Sequence, residues 1–178
     1  MKCKPFNRAL AALLSLMLIV SFLPATVFAA ENNPTSLTIG NVVVDTSQSG
    51  YWTTDDSGVL TPSDESNYNV YYDANGTLYL NNATISGVSA TNYGAGIWFK
   101  GGDLVINLKG NNKINASSNN GYSAGIFNSY DFQYGLTLTG GGSLDIGSSD
   151  ANSSAYAIFI AKDITLDNVN VTASTGKA

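Results

Sequence analysis

The stretch AGIWFKGGDLVINLKG, which runs from Ala95 to Gly110, decides the fold of this 178-residue chain. Apolar and polar residues alternate on both sides of the pair Gly101-Gly102. Alternation with a period of two places every second side chain on one face of an extended strand. The stretch therefore predicts two short strands joined by a tight turn, and versions of it return at 123–138 and 156–166.

These recurrences indicate that the sequence repeats a unit of three strands. Phrases of the Leu-x-Leu type follow one another at intervals of 26, 32 and 28 residues, at Leu78-Tyr-Leu80, Leu104-Val-Ile106, Leu136-Thr-Leu138 and Ile164-Thr-Leu166. A second alternating segment follows each phrase, and a third follows in the first three units, with turn-forming Gly, Asn, Asp and Ser between them. Three strands and three turns per unit predict an all-β chain that winds as a right-handed parallel β-helix of about four coils.

Stacked coils about 4.8 Å apart would align their equivalent inward residues as ladders. The alignment predicts two of these ladders, Leu80/Ile106/Leu138/Leu166 and Ile97/Ile126/Ile158. Strict alternation in the third segments also places Tyr156 on the same face as Ile158 and Ile160. A flat β-sandwich is the alternative fold, and it would need hairpin turns and no register between the repeats.

Residues 1–29 have the parts of a secretory signal peptide. A basic start precedes an apolar run over 9–23, and Val27 and Ala29 stand at cleavage-site spacing. The apolar run is short for a bilayer span, so we expect cleavage after Ala29 and no membrane insertion of the mature chain. That chain would be secreted or held at the cell surface, and it would contain no cysteine because Cys3 belongs to the leader.

Charge excludes several classes of function. After cleavage, five lysines remain against all 13 acidic residues, which gives a formal charge of −8, and neither Arg nor His is present. Nucleic-acid binding needs clustered Lys and Arg, so that class of partner is excluded. Nucleophiles that depend on His or Cys, and the usual transition-metal sites, are excluded because their residues are missing.

The segment 30–77 differs from the repeat. It includes an acidic stretch with Asp55, Asp56, Asp64 and Glu65. An open solenoid end exposes apolar side chains and unpaired backbone, so this segment is predicted to be an N-terminal β cap and lead-in coil. The coils then occupy 78–178, and because the sequence stops after the second strand of a unit, we expect the natural chain to continue beyond Ala178.

Three phrases carry a family resemblance: Leu78-Tyr-Leu-Asn-Asn-Ala-Thr-Ile85, Gly102-Asp-Leu-Val-Ile-Asn-Leu-Lys-Gly-Asn-Asn-Lys-Ile114 and Gly142-Ser-Leu-Asp-Ile146. With the lead-in phrases at 37–44 and 72–78, they resemble secreted β-helix proteins of Gram-positive bacteria that are described as carbohydrate-binding domain-containing proteins. The resemblance covers most of 37–174. It implies an extracellular or cell-surface module; some members bind acidic plant polysaccharides with calcium and are thought to derive from pectate-lyase-like ancestors.

The third strand of each unit carries the candidate binding residues. If the isoleucine ladder points inward, then Trp98, Phe127 and Phe159 point outward, one above another on consecutive coils. Sugar rings stack their apolar C–H faces on aromatic rings, so this stripe predicts a polysaccharide-binding face. The alternative is a structural stalk or surface-display segment without a ligand, in which a loop, a further segment or a partner covers the stripe.

Two aspartates are candidates for a calcium site. Asp103 and Asp163 precede the first strand of their units at the same corner, and calcium takes carboxylate oxygens. Two coils separate them by on the order of 10 Å, which is too far for one ion to bridge, and a turn-forming role is the alternative.

A lyase or glycoside hydrolase is the less favoured functional class. A lyase would need a basic residue beside acidic groups, and a hydrolase would need paired carboxylates. The lysines available for such a role are Lys100, Lys109, Lys113 and Lys162. None of them lies in an acidic cluster of the sequence, so we expect a non-catalytic module.

Overall fold

The computed structural model describes residues 32–89, 93–119, 121–128, 133–150 and 154–177, and the predicted signal peptide lies outside these ranges. The described residues form sixteen strands and no helix, which confirms the all-β prediction. In chain order the strands are β1 (Ser36–Ile39), β2 (Val42–Val44), β3 (Gly50–Thr54), β4 (Leu60–Pro62), β5 (Val70–Tyr72), β6 (Thr77–Asn81), β7 (Thr84–Ser89), β8 (Tyr93–Lys100), β9 (Leu104–Lys109), β10 (Asn111–Ser118), β11 (Tyr122–Asn128), β12 (Leu136–Thr139), β13 (Ser143–Asp150), β14 (Ala155–Phe159), β15 (Ile164–Leu166) and β16 (Asn170–Lys177).

The strands from β6 onward belong to four repeats. Repeat 1 is β6–β8, repeat 2 is β9–β11, repeat 3 is β12–β14, and repeat 4 contains β15 and β16. Each complete repeat contributes one strand to each of three sheets, whose orders are β15-β12-β9-β6-β5-β3-β4, β16-β13-β10-β7 and β14-β11-β8-β1-β2. Within each sheet the strands of successive repeats pair in parallel and in register.

The N-terminal strands β1–β5 pair differently from the strands of the repeats. Each of them runs antiparallel to the strands with which it pairs. The β1–β2 hairpin pairs with β8, and β5 pairs with β6 and also with β3, which in turn pairs with β4. At the β16-β13-β10-β7 sheet, the amide of Ser86 in β7 donates to the carbonyl of Gly58 at 2.9 Å. The segment therefore contacts all three strands of repeat 1 at one end of the stack, as a cap would, and its capping role stays a prediction.

The first predicted ladder is wrong at its first member. Leu78, not Leu80, lies directly opposite Ile106, and Leu80 lies opposite Leu108. A slip of two residues keeps every side chain on its own face, so alternation alone cannot detect it. The remaining members of that ladder pair as predicted. The second ladder also pairs as predicted, through Ile97/Ile126/Ile158.

A buried asparagine joins three repeats at one corner. The side-chain oxygen of Asn112 accepts a hydrogen bond from the amide of Ala83 in repeat 1, at 3.0 Å. Its side-chain nitrogen donates to the carbonyls of Lys109, at 3.1 Å, and of Ser143 in repeat 3, at 3.2 Å. Because Asn112 is buried, these bonds satisfy backbone groups that would otherwise lose water without a replacement partner.

The last repeat is less buried than the repeats before it. Leu136 is buried, whereas Ile164, directly opposite on β15, is 43% exposed. Leu138 is likewise buried, and its partner Leu166 is 55% exposed. The strands of repeat 4 are therefore edge strands whose apolar residues contact a neighbour on one side only.

None of the described segments forms a helix long and apolar enough to cross a bilayer.

Candidate functional site

The predicted aromatic stripe lies on the outer face of the β8–β11–β14 sheet. Trp98 and Phe127 are direct partners across β8 and β11, and Phe127 and Phe159 are direct partners across β11 and β14. Trp98 is 37% exposed, and the two phenylalanines are half-buried. The structure therefore brings the three predicted residues together, and their carbohydrate-binding role stays a prediction.

The three rings contact one another along the stack of strands. The ring centroids of Trp98 and Phe127 are 5.9 Å apart, with an edge-on angle of 61°. Phe127 and Phe159 are stacked, with centroids 5.5 Å apart and an angle of 28°. Both distances lie in the range at which aromatic pairs stabilise each other.

Three tyrosines, which the sequence analysis missed, complete the site. Tyr93, Tyr122 and Tyr156 are all exposed on the same face. Tyr93 and Tyr122 pair directly and stack, with ring centroids 5.8 Å apart. Tyr156 packs against Phe159, with ring centroids 4.8 Å apart. The signal in the sequence is the recurrence of Tyr-x-Ala-Gly-Ile followed by an aromatic residue, at 93–98 and 122–127.

Strict alternation hides these tyrosines because it fails in the middle of the strand. Trp98 stands five positions after Tyr93, an odd number, so strict alternation assigns them to opposite faces. In the structure Gly96 and Ile97 are consecutive buried residues, while Ala95 and Trp98 both line the outer surface. This break in the alternation, which we call the bulge, occurs at the same register position in β8 and β11, which pair residue for residue on both sides of it, and it restores both aromatic residues to one face.

Repeat 3 corrects the prediction for Tyr156. Strict alternation placed Tyr156 on the inward face with Ile158, but Tyr156 is exposed and lines the outer surface beside Phe159. Ala157 and Ile158, both partly buried and packed against the core, occupy the positions of the consecutive inward pair. The bulge therefore recurs in β14, and it turns Tyr156 outward.

Glycine is required at the bulge in the first two repeats. A Cβ atom on Gly96 would lie 2.4 Å from Cγ2 of Ile114, and one on Gly125 would lie 2.4 Å from Cγ1 of Ile146. Contacts this short force the neighbouring atoms to move. In repeat 3 the residue at the bulge is Ala157. The partner of Ile146 on the next strand, β16, is Ala173, and this smaller side chain is compatible with an alanine at 157.

The six rings surround a groove of about 280 Å³, close to the lower end of ligand-pocket volumes. Small residues form the part between the rings: Gly94, Ala95, Ser123 and Ala124. None of the described residues that line the groove carries a charge. The groove can therefore offer apolar contact and tyrosine hydroxyls to a ligand, but its lining includes no carboxylate or lysine for acid–base chemistry.

The two candidate calcium ligands, Asp103 and Asp163, both make hydrogen bonds within the protein. Oδ1 of Asp103 accepts a hydrogen bond from the amide of Gly135, at 2.7 Å, and the carbonyl of Asp163 accepts one from the amide of Leu136, at 3.0 Å. Over the ranges that the structure describes, no three His, Cys, Asp or Glu side chains could hold one metal ion together. Calcium binding by Asp103 and Asp163 stays a prediction.

The acidic N-terminal stretch forms turns. Oδ1 of Asp55 accepts hydrogen bonds from the amide of Ser57, at 3.0 Å, and from its hydroxyl, at 2.5 Å. Asp64 makes the same pair of bonds with Ser66, at 2.9 and 2.5 Å. These serine contacts hold the pKa of both carboxyl groups below the ordinary value, because the bonds stabilise the ionised form.

No family model, no curated protein and no solved structure matches the chain.

Proposed function

We propose that this protein is a non-catalytic polysaccharide-binding module of a secreted or cell-surface protein, built as a right-handed parallel β-helix. The observation that carries the function is the groove of six aromatic rings on the β8–β11–β14 sheet. The β-helix is supported by the way each complete repeat contributes one strand to each of three sheets in parallel register. A right-handed path is the one that parallel strands and their crossovers strongly favour.

Exposure of the rings supports a binding role. Aromatic side chains are costly to leave in contact with water, and exposed apolar patches on soluble proteins mark interaction sites. Trp98 and three tyrosines of the groove are exposed together. A sugar ring presents an apolar face of C–H groups and a rim of hydroxyls, which suits aromatic walls with tyrosine hydroxyls at their edges.

The uncharged lining supports binding without cleavage. Glycoside hydrolysis uses two carboxyl groups about 5–10 Å apart, and elimination from a uronate uses a positioned base. The described residues of the groove lining provide neither. Lys100 is the nearest lysine along the strand, two residues after Trp98, and its side chain is exposed outside the lining.

Affinity electrophoresis tests the proposal. The protein is run through gels that contain hydroxyethylcellulose, xylan or polygalacturonate, each with calcium and with a chelator. We expect at least one polysaccharide to retard the protein and Trp98→Ala to remove the retardation. Calcium-dependent retardation by polygalacturonate would assign the acidic ligand and the cofactor that the family resemblance implies.

The matched control is Tyr68→Ala, which removes an exposed tyrosine outside the groove. We expect this variant to migrate like the unchanged protein. A reducing-end assay on the same polysaccharides should detect no new chain ends. Free migration in every gel, by protein with an intact strand spectrum in circular dichroism, would contradict the binding proposal and favour the structural stalk.

A further inference from the structure

The two ends of the aromatic groove differ. On β8 and β11 the surface between the rings is formed by Ala95 and Ala124, which are direct partners. The partner of Ala124 on β14 is Tyr156. A phenol ring therefore stands in repeat 3 at the register position where the other two repeats carry a methyl group.

Tyr156 is 36% exposed, and its ring is tilted by 59° against that of Phe159. Phe159 belongs to the aromatic row that flanks the alanine positions. The ring of Tyr156 therefore lies against this aromatic row and crosses the line formed by the small residues. A ligand lying along that line over Ala95 and Ala124 meets the ring when it reaches β14.

Among the described residues, the opposite end carries no such ring: β1 ends at Ile39, opposite Ile97, and the amide of the next residue, Gly40, donates to the carbonyl of Gly96, at 2.7 Å. Trp98 is paired with Thr38 on β1, and Thr38 is paired with Val43 on β2. Directly paired residues point to the same face of a sheet, so the outward row continues from Trp98 onto two small side chains. Val43 is 79% exposed. An extended ligand over Ala95 can therefore leave the groove past Gly40, which has no side chain, alongside Thr38 and Val43.

Charge narrows the chemistry of the ligand. The described groove lining and the exit residues Thr38 and Val43 are uncharged, and the chain as a whole has a formal charge of −5 with its leader included. A polyanion would approach a surface of like charge, which disfavours association. An uncharged glycan meets no such opposition.

From this asymmetry we infer that the groove binds the end of an uncharged glycan chain, with Tyr156 as the stop and the chain leaving past Gly40, alongside Thr38 and Val43. The inference rests on the proposed function and specifies its ligand. A site that is closed at one end accepts a terminal sugar unit and excludes the interior of a chain. The number of proteins bound per glycan chain is then set by chain ends, not by chain length.

Isothermal titration calorimetry with glycan fractions of two lengths tests this. The probes are short and long fractions of mixed-linkage β-glucan, glucomannan and xylan, each at a known molar concentration of chains. We expect the stoichiometry to stay at about one protein per chain for both fractions of the glycan that binds. Stoichiometry that rises in proportion to length would overturn the inference and leave the proposed function intact.

Variants at the stop make the test specific. Tyr156→Ala should open the groove, so that the number of proteins per chain increases with the length of the fraction. Tyr156→Phe keeps the ring and should therefore keep the stoichiometry at about one protein per chain for both fractions, and the loss of its hydroxyl should change the affinity alone. If Tyr156→Ala instead loses affinity for short and long fractions alike, Tyr156 is a stacking platform, and its role as a stop is overturned. Absence of binding to every fraction by folded, unchanged protein would overturn this inference together with the proposed function.

Discussion

Two aromatic surfaces lie on different sheets of this molecule, and only one of them encloses the groove. The first is the groove on β8, β11 and β14. The second, which we call the tyrosine ladder, consists of Tyr51, Tyr68, Tyr71 and Tyr79 on and beside β3, β5 and β6. Tyr71 stacks on Tyr51, with ring centroids 4.6 Å apart, and on Tyr79, with ring centroids 5.3 Å apart.

The difference lies in how each set of rings is arranged across its strands. In the tyrosine ladder, Tyr51, Tyr71 and Tyr79 occupy one register position on adjacent antiparallel strands, so their faces pack on one another. In the groove, β8 and β11 each carry rings at two register positions, with small residues between them. A recess therefore needs two aromatic rows and a row of small residues, whereas a single row of rings stabilises the sheet through cross-strand contacts.

The polar surroundings of the tyrosine ladder agree with a structural role. The hydroxyl of Tyr79 donates to Oδ2 of Asp73, at 3.3 Å. The pKa of Tyr79 is raised by burial and then by the charge of Asp73, and that of Tyr51 is raised by burial and then by the charge of Glu65. Each shift favours the neutral phenol, which keeps the stacked rings uncharged.

The largest expected effect is a loss of ligand affinity when a ring is removed from the groove, with no such loss when a ring is removed from the tyrosine ladder. Trp98→Ala should weaken binding of the retarding polysaccharide about thirtyfold, or ~2 kcal/mol, because an exposed anchor ring is lost. Tyr71→Ala should leave that affinity unchanged and lower the midpoint of thermal unfolding, since it removes two stacked contacts of about 0.5–1.5 kcal/mol each. Titration calorimetry and thermal unfolding measure the two quantities. Loss of affinity in Tyr71→Ala would show that the tyrosine ladder also contributes to ligand binding.

A second prediction concerns the bulge beneath the groove. Gly125→Ala should lower the free energy of unfolding by about 1–3 kcal/mol, because its Cβ would meet Ile146 and also the carbonyl oxygen of Ala157, at 2.6 Å. Gly176→Ala on β16 is the control, since its Cβ meets no atom within 4 Å. Urea denaturation measures both. Equal effects of the two substitutions would contradict the packing origin of the bulge.

The smallest effect concerns Tyr72, which lies on the inner side of the sheet that carries the ladder. Its hydroxyl is buried and has no hydrogen-bond partner among the described residues. Burial first, and then the charge of Asp73, raises the pKa of Tyr72. Tyr72→Phe should therefore change the free energy of unfolding at neutral pH by no more than about 1 kcal/mol, in the stabilising direction.

Tyr72→Phe should also make the stability of the protein less sensitive to alkaline pH. With the folded pKa raised, the folded state keeps the phenol proton that the unfolded state loses above about pH 10. This pH-dependent contribution of Tyr72 to the free energy of unfolding is fully present below that pH and is lost as the pH rises through the folded pKa. Urea denaturation at neutral and alkaline pH should give a smaller loss of stability for Tyr72→Phe than for the unchanged protein. An equal loss in both proteins would assign alkaline unfolding to other groups.

Half of the groove was predictable from the sequence. Trp98, Phe127 and Phe159 follow from alternation around the isoleucine ladder, because each is one residue after an inward isoleucine. Tyr93 and Tyr122 precede the bulge, where counting by two fails, and no local propensity reveals that two consecutive residues turn inward. Tyr156 was assigned to the wrong face for the same reason.

The pattern of residues by itself determined that the chain is all-β, that it repeats, and which residues of the first strands face the core. Period-two alternation suffices for this because burial of one face is decided strand by strand. Only the tertiary structure decided the pairing of Leu80 with Leu108, the bulges at Gly96 and Gly125, and the place of Tyr156 beside Ala124. These features depend on contacts between repeats that lie about 30 residues apart in the sequence, and packing between distant segments leaves no local signature in the pattern of either one.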